Sequence, residues 1–296
     1  MKTKRLLTRR EALKTAALGS LALPLLSANG IAAEGTAPMP KTTSADGREH
    51  GLRIGVATYS TRNLSVDETI ATLKVLRIVN AGVFRLHIPW GGTVEEVRTA
   101  AEKFHQAGIA ISGSGVINLP NDEAELRKAF ENAKAAKLMT MVCKPEIAAL
   151  PLVEKFVKEY DQRLAIHNHG PEDAVYPTPK VAYDAIKSLD PRIGLCVDVG
   201  HAMRGGSDPV DDIVRYAERV HDVHLKDSQA IPGAMRDMPV EVGTGRIDIR
   251  GILQALRRID YNGVVAFEYE KAATNPVTGL AESVGYVRGM LAALAA

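Results

Sequence analysis

The sequence predicts an α/β fold, a single (β/α)8 TIM barrel that follows an N-terminal signal peptide. After Gly51, short β-branched apolar runs alternate with longer amphipathic stretches. Buried parallel strands and their crossover helices produce this pattern. The chain has eight such strand and helix units, and about 245 residues remain after the leader, which is the usual size of one barrel. A closed parallel barrel is therefore the expected architecture.

The first 33 residues have the features of an export signal. The twin arginine Arg9-Arg10 precedes an apolar run over 16–26, and small residues follow over 28–33. A permanent membrane helix needs about 20 apolar residues, so we expect no membrane span in the mature form. The pattern is typical of a Tat signal peptide and predicts an exported, periplasmic protein, with a Sec signal as the alternative. Residues 34–52 are expected to be a flexible lead-in to a barrel over 53–296.

The charge balance argues against a nucleic-acid partner. The whole chain has 37 basic and 35 acidic residues. Removal of residues 1–33 leaves 31 basic against 34 acidic residues, a formal net charge of −3. Nucleic-acid binding normally needs a concentrated basic face. We therefore expect a small-molecule partner.

The elements follow in order along the barrel. Capping boxes at Ser65–Glu68 and Thr93–Glu96 begin two helices, and Gly108 ends the second. Thr178-Pro179 and Asp208-Pro209 begin two later helices. The predicted strand segments are 53–59, 83–88, 109–116, 139–144, 164–169, 193–201, 220–227 and 264–270. The remaining helices are predicted over 122–138, 150–160, 247–258 and 280–295.

Four consecutive strand segments end in side chains that bind metals. They carry His167, Asp198, His224 and Glu268. Because the carboxyl ends of barrel strands meet at one face, we expect these four side chains to lie together. One imidazole from each of two strands and one carboxylate from each of two others make a mixed nitrogen and oxygen site. Such a site suits Mn²⁺, Co²⁺, Zn²⁺, Ni²⁺ or Fe²⁺, and the sequence does not choose among them.

Five motifs resemble the sugar isomerase/epimerase group of xylose-isomerase-like barrels, over almost all of the chain after the leader. The motifs are HNHG at 167–170, DVGH at 198–201, HLKD at 224–227, VGTGRID at 242–248 and FEYE at 267–270. The resemblance implies that the metal ligands are His167, Asp198, His224 and Glu268. It also implies that His201 touches the substrate, a small carbohydrate. Barrels of this group often associate, so a homo-oligomer is compatible with the resemblance.

His167 departs from the pattern of the group. The group commonly has a glutamate there, and its epimerases use two opposed glutamates to exchange protons with both faces of the carbon beside a carbonyl. A histidine-rich fifth strand is instead similar to keto-inositol dehydratases and to enzymes that cleave 3-keto-glycosides by elimination. The resemblance therefore favours a metal-dependent sugar lyase. A sugar isomerase or epimerase that uses the same enolate chemistry is the alternative.

Three residues are predicted to be catalytic, namely Lys144, His169 and Glu268. Lys144 ends the fourth strand, where a crowded cationic site can lower the pKa of a lysine. A simple electrostatic contact with a carboxylate is the alternative for Lys144. His169 lies two residues after His167 and so shares its strand face.

Polar residues at other strand ends are predicted to bind substrate hydroxyls. They are His87, His201, Lys226 and Asp227. Arg85 shares this face, although an ion pair at the bottom of the barrel is an equal alternative. No strong basic cluster indicates a phosphorylated sugar.

Several alternatives stay open at this point. Glu146 is a second carboxylate close to Lys144 at the end of the fourth strand and could replace His167 as a ligand. Trp90 could stack on a sugar, with structural packing at least equally favoured. Cys143 and Cys196 lie in apolar strand patterns and are expected to be small buried hydrophobes rather than a disulfide. The Gly243–Gly245 turn lacks the spacing of a phosphate loop and is interpreted as a tight turn.

Two further classes of protein compete with the enzyme prediction. One is a sugar-binding protein that keeps the metal pocket without turnover. The other is the abasic-site endonuclease branch of the same barrels, which binds several zinc ions through more histidine and glutamate ligands than this chain supplies. The acidic mature chain and the export signal disfavour the endonuclease.

Overall fold

Eight parallel strands close into a barrel in the computed structural model, which describes residues 44–232 and 237–296. The signal peptide predicted over 1–33 lies outside the described residues, as does the lead-in up to residue 43. Within the two described ranges, no helix has both the length and the apolar character that a membrane crossing needs. The predicted closed α/β barrel is confirmed.

The barrel strands are short and largely buried, as the apolar runs predicted. We number them in chain order: β1 Leu52–Ala57, β2 Asn80–Val83, β3 Ala110–Ser114, β4 Thr140–Pro145, β5 Arg163–His167, β6 Ile193–Asp198, β7 Val220–Leu225 and β8 Val264–Phe267. A further short strand, Ile117–Leu119, extends the pairing with β4.

The barrel closes where the last strand meets the first. β8 pairs in parallel with β1 from Val264↔Arg53 to Phe267↔Val56, and β1 pairs with β2 through Val56↔Ala81. Closure leaves no exposed strand edge in the ring, so all eight strands present their carboxyl ends at one face.

Helices follow the strands and cover the outside of the barrel. They are α1 Val66–Val75, α2 Val94–Gln106, α3 Glu123–Ala135, α4 Leu150–Tyr160, α5 Pro179–Ile186, α6 Val199–Arg204, α7 Pro209–Arg215, α8 Ile249–Arg258 and α9 Val277–Ala295. Both predicted capping boxes are present, with Ser65 at the start of α1 and Thr93 at the start of α2. The helix α6 was not predicted.

The second strand was placed wrongly by sequence reasoning, which expected it over 83–88. The observed strand ends at Val83, and the chain then turns as His87 N donates to Phe84 O at 2.9 Å. Thr58 Oγ1 accepts from Phe84 N at 2.8 Å and so ends the ladder there. The true strand was missed because it reads Asn-Ala-Gly-Val, which has a low β propensity. Tertiary pairing with β1 and β3 overrides that propensity.

The end of the predicted lead-in is regular rather than irregular. Arg48–Glu49 forms a short strand antiparallel to β1, and the Glu49 carboxylate pairs with Arg288 of α9 at 2.7 Å. A second unpredicted hairpin pairs Asp227–Gln229 with Met238–Val240 beside the barrel mouth. Both elements are only two or three residues long per strand, too short to produce a clear alternating pattern.

Candidate metal centre

Four donor side chains converge at the carboxyl face of the barrel. His167 and Asp198 end β5 and β6, His224 lies one residue before the end of β7, and Glu268 follows β8. One donor atom from each lies within 4.8 Å of the others. Asp198 Oδ2 is 3.4 Å from His167 Nε2 and 3.9 Å from His224 Nδ1. The structure therefore assembles the predicted set of two imidazoles and two carboxylates.

The donor atoms fit a divalent metal. Both ring nitrogens of His167 and Nδ1 of His224 are buried and make no hydrogen bond of acceptable geometry within residues 44–232 and 237–296. Leaving such atoms without partners is costly. A nitrogen and oxygen donor set of this kind suits the borderline divalent ions from Mn²⁺ to Zn²⁺. We therefore assign this cluster as a candidate metal centre.

Burial and neighbouring charges set the protonation of the cluster. Burial lowers the pKa of His167, which favours the neutral imidazole that a metal requires. Burial lowers the pKa of His201 to about 3. Burial alone would raise the pKa of Asp198, but His201 and Lys226 hold it well below its usual value. Asp198 is therefore a carboxylate at neutral pH.

Lys226 reaches into the same cluster. Its Nζ lies 2.9 Å from Asp198 Oδ2, 2.6 Å from Glu268 Oε2 and 2.6 Å from Glu270 Oε1. The side chain is only 10% exposed. Burial would lower the pKa of this ammonium, but the surrounding carboxylates raise it well above its usual value. Lys226 thus lies in the pocket as predicted, although its ammonium contacts predicted metal ligands directly.

A pocket of about 830 Å³ adjoins the cluster and is lined by His167, His224 and Glu268. His169 and His201 also line it, with their ring centroids 4.8 Å apart. This volume is large enough for a small carbohydrate. Arg85 lines the same pocket, so the alternative of a bottom-face ion pair for Arg85 is wrong.

Lys144 lies on the pocket wall and forms an ion pair with a buried carboxylate. Its Nζ is 2.7 Å from Asp173 Oδ2, and His169 Nδ1 is 4.0 Å from the same oxygen. Burial opposes ionisation of Asp173, but Lys144 and the amides of Val175 and Tyr176 lower its pKa. Asp173 therefore links the two predicted proton-transfer residues, and sequence reasoning missed it because its loop has no strand or helix pattern.

His87 does not reach the pocket, so its prediction as a substrate-binding residue is wrong. It is 3% exposed. Nδ1 lies 2.8 Å from Thr58 Oγ1, while Nε2 lies 3.1 Å from Leu64 O and 3.2 Å from Thr69 Oγ1. Both ring nitrogens are thus used within the protein, because the chain turns after Val83 and carries His87 away from the mouth.

Asp227 holds a backbone turn instead of presenting a free carboxylate. Oδ1 accepts from the amides of Ser228 at 2.8 Å and Ile247 at 3.1 Å. Oδ2 accepts from the amides of Gly243 at 3.0 Å and Gly245 at 2.9 Å. Asp227 is only 2% exposed, so these four hydrogen bonds are shielded from water. Asp227 also lines the pocket, so its role in substrate binding stays a prediction, while the interpretation of Gly243–Gly245 as a tight turn is supported.

Three alternatives are resolved by local contacts. Glu146 is exposed and accepts from Asn121 N at 3.2 Å, so His167, not Glu146, is the donor in the cluster. Trp90 is 6% exposed and donates from Nε1 to Val83 O at 2.8 Å, which is a packing role. Cys143 and Cys196 are both free and buried.

Two further polar residues were not singled out from the sequence. Glu270 lines the pocket and pairs with Lys226. Asp222 lies inside the barrel, with Oδ1 4.0 Å from His224 Nε2, and burial raises its pKa to about 6. The spacing of two between Asp222 and His224 on one strand was the available signal, because such residues share a face.

The fold and the donor set define a TIM barrel with a candidate metal centre at its catalytic face. Residues 147–290 match the family of xylose isomerase-like TIM barrels. The family predicted from the sequence motifs is confirmed.

Two curated relatives are named for reactions on sugars or cyclitols, and a third, from Methanosphaera stadtmanae, is named as an endonuclease 4 and is 25% identical over 111 residues, which cover 34% of this chain and 39% of the relative. An inosose dehydratase of Geobacillus kaustophilus is 29% identical over 168 residues, which cover 51% of this chain and 54% of the relative. The chain thus spans about half the length of that relative. A protein of Escherichia coli named as an L-ribulose-5-phosphate 3-epimerase is 24% identical over 226 residues, covering 69% of this chain and 70% of the relative.

Solved structures share the fold. The IolI protein, solved with a bound zinc atom, is 16% identical with a TM-score of 0.65, covering 81% of this chain and 98% of that one. The 3-keto-D-glucoside 4-epimerase of Escherichia coli is 14% identical with a TM-score of 0.63, covering 80% and 99%. At these identities the likeness concerns the fold alone.

Proposed function

We propose that this protein is a divalent-metal-dependent enzyme that removes the proton next to a carbonyl of a sugar or keto-sugar, and that the outcome is β-elimination, for example from a 3-keto-glycoside. The observation that carries the proposal is the convergence of two imidazoles and two carboxylates beside a pocket lined with acid and base groups. The inosose dehydratase relatives, which are named for an elimination, support it.

His167, Asp198, His224 and Glu268 would hold the metal. A divalent ion held there supplies a Lewis acid that lowers the cost of developing negative charge on a carbonyl oxygen. Burial of the cluster, with Asp198 fully enclosed, excludes water and strengthens every electrostatic interaction in the site.

In this proposal, His169 and Lys144 move the two protons of an elimination. His169 is half exposed, faces the pocket and carries an imidazole that can accept the α-proton. The electron pair of the broken C–H bond forms a C=C bond as the C–O bond to the leaving group breaks. Lys144, whose Nζ pairs with Asp173, would donate a proton to the departing oxygen.

His167 favours elimination over epimerisation. Epimerisation by two opposed carboxylates needs a base on each face of the reacting carbon, and the β5 position holds an imidazole in the candidate centre rather than a carboxylate. Isomerisation or epimerisation by the same enolate chemistry is the second candidate, because one relative carries an epimerase name. Export through the Tat pathway, which we also propose, would give the enzyme access to periplasmic oxidised glycosides.

The test is proton exchange followed by NMR in deuterated water. The purified protein is stripped with a chelator, reloaded separately with Mn²⁺, Co²⁺, Zn²⁺, Ni²⁺ or Fe²⁺, and incubated with a 3-keto-glycoside, a keto-inositol or a free ketose. The metal is then removed from each reaction mixture, and the product is quantified by NMR. The matched variant is Glu268→Gln, which keeps the size of a predicted ligand and removes its charge.

The proposal predicts loss of the β-substituent with a new alkene signal, dependent on added metal and abolished in Glu268→Gln. Deuterium beside the carbonyl of a free ketose, with an isomer and no leaving group lost, would establish the isomerase alternative. A bound sugar without any exchange would support a non-catalytic binding protein and contradict the proposal.

A further inference from the structure

Lys226 occupies the carboxylate side of the candidate metal centre. Its ammonium contacts one oxygen of Asp198 and one of Glu268 at 2.9 and 2.6 Å. These residues also belong to the four-donor cluster. A lysine ammonium and a divalent ion within about 4 Å of each other repel by several kcal/mol at the effective dielectric of a protein site. The two cations therefore compete for the same negative charge.

A third carboxylate offers the ammonium a second position. Glu270 Oε1 lies 2.6 Å from Lys226 Nζ, and Glu270 is not one of the four clustered donors. Its side chain is 31% exposed, against 11% for Glu268 and 0% for Asp198. Glu270 is thus the most exposed of the three carboxylates and lines the pocket, so an ammonium held by Glu270 alone would stay beside the pocket.

The path of the lysine stem is fixed by a glycine. A Cβ added at Gly200 would approach Lys226 Cδ to 2.7 Å and Cγ to 2.8 Å. Contacts this short do not occur without displacement, so the absence of a side chain at Gly200 is what allows the lysine to lie along α6. The local backbone at Gly200 therefore fixes the position of the Lys226 side chain, and with it the position of the ammonium in the cluster.

We propose that Lys226 is a built-in counter-cation that neutralises the metal-free centre and is displaced toward Glu270 when a divalent ion binds. This inference rests on the metal centre of the proposed function. In the metal-free protein the ammonium compensates three carboxylates that would otherwise repel one another inside the barrel mouth. On loading, the same ammonium remains held by Glu270 beside the pocket, where it can donate hydrogen bonds to a substrate oxygen.

The inference predicts opposite effects on metal affinity and on the stability of the metal-free protein. Lys226→Met keeps the volume of the stem and removes the competing charge. We expect it to lower the dissociation constant for Zn²⁺ by tenfold or more, about 1.4 kcal/mol, and to lower the melting temperature of the chelator-treated protein. Lys144→Met is the matched control, because its ammonium lines the same pocket but pairs with Asp173. It should leave the Zn²⁺ affinity within twofold.

Affinity is measured by competition with a chromophoric chelator, and crystal structures with and without Zn²⁺ locate Nζ. The inference expects Nζ within hydrogen-bond distance of Asp198 without zinc, and bound to Glu270 alone with zinc. Equal or weaker Zn²⁺ binding by Lys226→Met would overturn the inference while leaving the metal centre intact, since the lysine would then support the ligands. If neither the wild type nor Lys226→Met binds Zn²⁺, Mn²⁺ or Co²⁺, both the centre and the inference are refuted.

Discussion

Asp227→Asn tests whether this carboxylate stabilises the fold or binds substrate. Its two oxygens accept four backbone amide hydrogen bonds at 2.8 to 3.1 Å. An asparagine keeps one side-chain oxygen, and an NH2 group replaces the other. Two of the four backbone N–H groups then face a donor instead of an acceptor. Two hydrogen bonds to a charged group are therefore lost, each worth about 1.5–3 kcal/mol. We expect the free energy of unfolding to fall by about 3–6 kcal/mol.

The assay is urea unfolding followed by far-UV circular dichroism and by the fluorescence of Trp90, the single tryptophan. Asp122→Asn is the matched control, since Asp122 Oδ1 accepts from two amides at the exposed start of α3. Asparagine caps helices as well as aspartate does, so the control should change stability by only a few tenths of a kcal/mol. Unchanged stability in Asp227→Asn, together with weakened sugar binding, would refute the structural assignment.

Three other predictions concern the interior, the misplaced histidine and the leader. Burial raises the pKa of Asp222 from 3.8 to about 6, so the folded state binds more protons between these values. Stability of the metal-free protein should fall as pH rises through this window, by about 3 kcal/mol in full. Urea unfolding at pH 4.5 and 8 should show about 2 kcal/mol of this loss in the wild type and none in Asp222→Asn, since part is already lost at pH 4.5; an equal loss in both would contradict the assignment. His87→Phe should cost about 1–3 kcal/mol of stability, because it removes the partner of Thr58 Oγ1. Its Zn²⁺ and sugar affinities should stay within twofold, and selective loss of sugar binding would restore the pocket role. Replacement of Arg9 and Arg10 by lysine preserves charge and should retain the precursor in the cytoplasm. Cell fractionation and immunoblotting would locate the precursor, and normal export would favour a Sec signal.

Sequence reasoning located the catalytic face because the information there is local. Each donor follows a short apolar strand, and parallel closure places all strand ends at one face. His167, Asp198, His224 and Glu268 could therefore be grouped before any distance was known. The helix starts were predictable for the same reason, since Ser65 and Thr93 each have their capping partner three residues later.

The sequence-based predictions failed at positions where tertiary contacts determine the strand register or the partner of a side chain. The second strand has weak propensity and exists because two neighbours pair with it, so its register and the position of His87 were misjudged. Asp227 lines the pocket as expected, but the four amides from residues 228 to 247 that bind its oxygens could not be predicted from the chain. The pairing of Lys144 with Asp173 joins a strand end to an irregular loop, and no pattern in the chain predicts that contact.

X-ray absorption spectroscopy of the Zn²⁺-loaded protein tests the central claim most directly. Two donor sets are geometrically available among the described residues, namely His167–Asp198–His224–Glu268 and His167–Cys196–His224. Zn–N and Zn–O distances are about 2.0–2.2 Å and Zn–S about 2.3 Å, so the sets are distinguishable. We predict a coordination shell of nitrogen and oxygen alone, with scattering from two imidazoles. We also predict that Glu268→Gln binds Zn²⁺ more weakly than the wild type. A sulfur shell that disappears in Cys196→Ser would contradict it.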